Sequence, residues 1–123
     1  MKKLRILIVD DIFTNRLLLT ELIKTLGHDS LQAENGQEAI NLLAANDVDL
    51  ILMDIEMPVM NGIETCEHIR KNMDPPKSVT SVVALTAHNP NLFFDDFSDA
   101  GFDELLTKPY SLDKIIELIN NLT

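Results

Sequence analysis

The stretch "DLILMDIEMPVMNG", residues 49–62, decides the reading of this chain. Four apolar residues, Leu50 to Met53, run straight into the carboxylate of Asp54 and then into a loop built from Met57, Pro58, Asn61 and Gly62. A short apolar run without alternation reads as a strand buried on both faces, the kind found in parallel sheets covered by helices. "LRILIV" at 4–9 and "VVAL" at 82–85 read the same way.

Working outward, each run is followed by a helical pattern. After Leu4–Val9, residues Leu18, Leu22 and Leu26 share a helical face beside Leu19 and Ile23, with Thr14 expected as the cap and Gly27 as the stop. A weak strand near Ser30–Glu34 precedes a helix over Gln37–Ala45 with Ala39, Ile40 and Leu43 inside, and Asp49–Met53 is the third strand. Ile63, Cys66 and Ile69 mark a third helix that cannot run through Pro75 and Pro76. "SVVALT" is the fourth strand, Leu92–Phe97 a fourth helix, and Asp103–Thr107 the fifth strand. Leu112, Ile115, Ile116, Ile119 and Leu122 line a closing helix. Five strands alternating with five helices make a doubly wound α/β domain with a parallel sheet, spanning residues 1–123 as one unit.

The totals narrow the function. At 123 residues the chain has the length of one ordinary domain. Ten basic against 20 acidic residues give a net charge of −10, which repels nucleic acid and anionic lipid and argues against direct binding of either. Cys66 is the one cysteine, so no internal disulfide forms and a reducing, cytoplasmic setting is expected. The basic start at Met1 is cut short by Arg5, Asp10 and Asp11 rather than continuing as a signal peptide, and no apolar run reaches membrane-spanning length.

In a parallel sheet the strand ends that lead into helices lie along one edge, where open α/β sheets bind ligands. That edge receives Asp10 and Asp11 after the first strand, Asp54 after the third, Thr86 after the fourth and Lys108 after the fifth. One such residue is ordinary turn chemistry. Three carboxylates, a hydroxyl and an ammonium at four strand ends are a pocket. Two like charges about 4 Å apart repel by roughly 4 kcal/mol at an effective dielectric near 20, so the cluster needs a cation beyond Lys108. A hard divalent ion such as Mg²⁺, joined by an anionic phosphoryl group, is the natural complement. The site then forms an aspartyl phosphate, hydrolyses a phosphoester or stores Mg²⁺, and the residues alone leave the nucleophile open among Asp10, Asp11 and Asp54. No glycine-rich nucleotide-binding motif is present. A haloacid-dehalogenase-like phosphatase also places an aspartate after a first strand, but wants a second aspartate where this chain has Ile12.

"ILIVDD", "LILMDIEMPVMNGIE", "ALTA" and "LLTKPY", in this order and spacing, resemble a response-regulator receiver domain of two-component signalling over essentially the whole chain. The resemblance implies a flavodoxin-like sheet in strand order 2-1-3-4-5. It implies Asp54 as phosphoacceptor, Asp11 as direct Mg²⁺ ligand, Asp10 assisting through a metal-bound water and the backbone carbonyl of Glu56 as a further ligand, with Mn²⁺ an acceptable substitute. Thr86 would donate to the phosphoryl group and Lys108 pair with its oxygen, aimed by a cis Lys108–Pro109 bond. The implied donor is a histidine kinase or histidine phosphotransfer protein, and the implied output a downstream protein target.

Other residues carry weaker expectations. Glu56 and His88 would either flank the attacking water or simply face solvent, and His28 and His68 read as surface residues. Leu105 stands where receivers often carry an aromatic residue, and Tyr110 does not replace it. Phe93 and Phe97 are expected in the core, with Phe94 pointing elsewhere. A start at Met1 and an end directly after the last helix are what a stand-alone regulator would show; the alternatives are a receiver excised from a hybrid kinase or larger regulator, or a phosphorylation-independent receiver.

Overall fold

Residues 3–86, 100–108 and 111–122 are described by the structure, a computed structural model. The three apolar runs form β1 (Arg5–Val9), β3 (Leu50–Asp54) and β4 (Ser81–Thr86), and β2 (Asp29–Ala33) and β5 (Glu104–Thr107) flank them. All neighbours pair in parallel, in the order β2-β1-β3-β4-β5. The central strands are buried almost throughout and the edge strands only in part, which is why the former read as unbroken apolar runs and the latter did not. Four α-helices are present among the described residues: α1 (Phe13–Thr25), α2 (Gly36–Ala45), α3 (Gly62–Asn72) and α4 (Leu112–Asn121), with a 3-10 turn at Lys77–Val79. The helix expected at Leu92–Phe97 lies outside the described residues, as do His88, Pro109 and Tyr110.

Alternate residues of each strand feed two cores. Ile6, Ile8, Leu50 and Leu52 pack with Leu19 and Ile23 of α1 and Ile115 and Ile119 of α4. Leu7, Val9, Ile51 and Met53 face Ala39 and Leu43 of α2 and Cys66 and Ile69 of α3. Burial pushes the Cys66 thiol up to about 11.

Helix ends follow local chemistry. Gly27 adopts φ +87°, the Gly27 N–H donates to the Lys24 carbonyl and the His28 N–H to the Ile23 carbonyl, a Schellman stop of the expected kind. Thr14, expected as the cap of α1, lies inside the helix; the N-cap is Ile12, whose N–H donates to Asp10 Oδ1 at 2.8 Å, so the aspartate organises the turn. The inner face of α1 also differs from the expectation. Leu19, Ile23 and Arg16 are buried while Leu18 is half exposed, because leucines at 17, 18 and 19 leave periodicity unable to choose a face. His28, expected at the surface, is buried, and its Nδ1 accepts from the Leu4 N–H at 3.0 Å.

Candidate functional site

Strand register brings the site together. Val9 is level with Met53, Asp54 with Leu85, and Thr86 with Thr107, so Asp10, Asp54, Thr86 and Lys108 emerge at one edge. The sheet ladder includes Asp54 itself, one residue beyond the expected end of the strand, which fixes its backbone on the rigid sheet. Oxygens of Asp10, Asp11 and Asp54 lie within 4.8 Å of one another. Lys108 Nζ donates to Asp54 Oδ1 at 3.1 Å and sits 3.9 Å from Asp10 Oδ2.

The loop after β3 is built to hold that position. The Gly62 N–H donates to the Ile55 carbonyl at 2.9 Å, and a Cβ on Gly62 would lie 2.6 Å from the Asp54 carbonyl oxygen. Close backbone approach, rather than a special dihedral, therefore explains the glycine. Asn61 and Glu64 form a reciprocal capping box that starts α3. Between them and Asp54, Val59 adopts φ +70° as the Met60 N–H donates to the Pro58 carbonyl at 2.8 Å, a three-residue turn that is strained for a β-branched side chain.

The three aspartates differ in environment. Asp54 is buried, and burial is the largest influence on its carboxyl, raising it above the usual carboxylate range. The hydrogen bond and charge of Lys108 pull it down, the charge of Asp10 pushes it up, and a backbone hydrogen bond from Glu56 pulls it down. Asp10 is buried with both oxygens engaged: Oδ1 takes the Ile12 N–H and Oδ2 the Asn15 side chain at 3.2 Å. Asp11 is exposed. Three carboxylates against one ammonium leave two negative charges, and the donors are all hard oxygens, so the residues present fit a small divalent cation.

Thr86 is fully buried at the end of β4, and its carbonyl accepts the Lys108 N–H, so the hydroxyl-bearing and ammonium-bearing strand ends are joined directly. Glu56 is exposed beside Asp54. Leu105 packs with Phe102 and Ile63 against Ile55 and Ala84, an aliphatic contact where an aromatic was the alternative. Asn15 and Arg16 were not anticipated. A polar pair ahead of Leu17, Leu18 and Leu19 is the signal that marks them, since the first turn of a helix entering from Asp10 must pass beneath that residue.

The family model for the response regulator receiver domain matches residues 6–120. The chain is 39% identical over 116 residues to the autoinducer 1 sensor kinase/phosphatase LuxN of Vibrio campbellii, covering 94% of this chain and 13% of that protein. It is 37% identical over 123 residues to the two-component response regulator ARR22 of Arabidopsis thaliana, covering 98% of this chain and 84% of that protein. Among solved structures it resembles the receiver domain of Ssk1 from Saccharomyces cerevisiae, crystallised with the histidine phosphotransfer protein Ypd1, at TM-score 0.85 and 31% identity over 95% of this chain and 86% of that one. The fold and site define a receiver, and this chain belongs to the response regulator receiver domain family. That membership leaves the haloacid-dehalogenase reading without support. No helix among the described residues is long and apolar enough to cross a membrane.

Proposed function

We propose that the chain, over residues 1–123, is a single phosphoacceptor unit in which Asp54 takes a phosphoryl group from the phosphohistidine of a histidine kinase or phosphotransfer protein. A carboxylate oxygen of Asp54 attacks phosphorus, the phosphorus–nitrogen bond to the donor imidazole breaks, and an acyl phosphate results. Asp54 must be ionised to attack, and Lys108 at 3.1 Å favours that form against the effect of burial. Lys108 then pairs with a phosphoryl oxygen while the Thr86 hydroxyl donates to another. Asp11, Asp54 and the Glu56 carbonyl would hold Mg²⁺, or Mn²⁺, with Asp10 assisting through water. Bound there, the ion would offset charge on the phosphoryl oxygens as the bond forms.

The observation that carries this reading is the meeting of three carboxylates and one ammonium at adjacent strand ends. Because the Lys108 N–H is bonded to the Thr86 carbonyl, movement of either strand end is transmitted to the other and on toward α4, with no aromatic at position 105 required. Ile12, Phe13, Leu17 and Leu18, each about half exposed, form an apolar collar beside the acidic pocket suited to the phosphodonor. Water later cleaves the acyl phosphate, releasing inorganic phosphate and restoring Asp54, so the only reactions promoted are the protein's own phosphorylation and reset. The output is through a downstream protein target rather than nucleic acid, given the net charge of −10, and the reduced Cys66 fits a cytoplasmic setting.

Incubation with Mg²⁺ and acetyl phosphate or phosphoramidate, followed by intact mass measurement, tests the assignment. Wild type is expected to carry one labile phosphoryl adduct and Asp54→Asn none; equal labelling of both rejects Asp54 as acceptor.

A further inference from the structure

Arg16 is a buried cation in the first turns of α1, with a side chain only 7% exposed. A guanidinium taken out of water is costly unless every direction of its fork is answered. Here NH1 donates to the Asp10 carbonyl at 2.6 Å, Nε donates to Gln32 Oε1 at 3.2 Å, and NH2 lies 3.6 Å from Glu34 Oε1. The Phe13 ring sits 5.7 Å away, over the guanidinium carbon.

These contacts close a ring. Gln32 and Glu34 flank Ala33, whose own carbonyl accepts the Asp10 N–H at 3.1 Å. Both backbone groups of Asp10 are therefore committed, the N–H to β2 directly and the carbonyl to β2 through Arg16. With the carboxylate also held by Ile12 and Asn15, the peptide joining Asp10 to Asp11 has one orientation, and that orientation sends both carboxylates toward Asp54.

We propose that Arg16 is a positioning residue for the divalent-cation site: its planar fork fixes the Asp10–Asp11 peptide from behind and so sets the affinity of the acidic pocket for Mg²⁺. The proposal rests on the acceptor reading above. It also runs against simple charge counting, because removing a positive charge close to an acidic pocket should by itself strengthen cation binding. Positioning and electrostatics thus predict opposite signs.

Calorimetric titration with MgCl₂ alone, on wild type, Arg16→Met and Arg16→Lys, separates them, with urea unfolding of the metal-free proteins recorded alongside. Arg16→Met is expected to weaken Mg²⁺ binding by about tenfold, the low end of what loss of an outer supporting contact costs a metal site. Arg16→Lys keeps the charge but cannot hold Asp10, Gln32 and Glu34 together, and is expected to lose part of the affinity. A lower urea midpoint alone reports packing; a weaker Mg²⁺ affinity in folded protein reports positioning. Mg²⁺ affinity in Arg16→Met equal to or tighter than wild type overturns the proposal, and if that variant does not fold, wild-type affinity in Arg16→Lys overturns it. Failure of wild type to take up Mg²⁺ would instead remove the acceptor reading, and this proposal with it.

Discussion

Two residues show how the site stores unfavourable free energy in its resting form. Burial raises the Asp54 carboxyl above its ordinary 3.8, so the folded chain holds that proton more tightly than the unfolded chain does. The resulting stability is complete below pH 3.8 and is lost as pH rises through the folded-state value, leaving ionised Asp54 a liability at neutral pH in the metal-free protein. Asp54→Asn is expected to raise the thermal midpoint at pH 7 and to lose that advantage below pH 3.8; identical midpoints at pH 7 would contradict the burial argument. Val59 is the second case. Its φ of +70° is disfavoured by a branched side chain, and it is 81% exposed, so no packing compensates. Relief of that strain, less the entropy glycine adds to the unfolded chain, predicts a gain of about 1 kcal/mol for Val59→Gly in urea titration.

At the scale of elements, the joint between β3 and α3 is packed too closely to accept a larger residue at Gly62. A methyl group at Gly62 has no room against the Asp54 carbonyl and the Ile55 Cα, so Gly62→Ala must displace the backbone that carries Asp54. A loss of about 2 kcal/mol is expected, together with slower adduct formation from acetyl phosphate, checked by urea unfolding and timed mass measurement. Elements of this kind were the most legible in the sequence. Apolar runs marked β1, β3 and β4, Gly27 marked the stop of α1, and the polar residues at four of the strand ends marked the pocket, whereas the asparagine caps of α2 and α3 at Asn35 and Asn61 were not picked out. What the sequence hid was set by contacts between distant segments. Nothing local tells Leu18 from Leu19, since which one is buried depends on how α1 lies on the sheet. Nothing local announces that Arg16 reaches Gln32 and Glu34, or that His28 accepts from Leu4, because those partners are chosen by strand pairing. Charge and spacing likewise do not separate Asp54 from Asp10 and Asp11; in the fold Asp54 differs from the other two by its place in the sheet ladder and its direct hydrogen bond from Lys108, while burial is shared with Asp10.

For the molecule as a whole, the sheet has one acidic edge and one anchored end. Arg70 of α3 donates to the carbonyls of Ser78, Thr80 and Gly101 and to the Asp103 carboxylate, which ties the starts of β4 and β5 to the helix layer. Arg70→Met leaves those acceptors without their donor and is expected to cost about 2–3 kcal/mol in urea unfolding while leaving the Mg²⁺ affinity of the folded protein unchanged. At the other edge, cation binding should stabilise the entire fold, each tenfold excess of Mg²⁺ over its dissociation constant adding about 1.4 kcal/mol, and Asp11→Asn should blunt that response in thermal scans. The burial of Cys66 has a practical corollary. Alkylating and spin-labelling reagents attack thiolates, and a thiol at about 11 under the α3 layer offers almost none near neutrality. The native chain can thus serve as its own silent background: one reporter sulfur introduced at an outlying position such as Val79, 71% exposed, would be tagged selectively, and spectroscopy could follow phosphorylation without any cysteine first being removed.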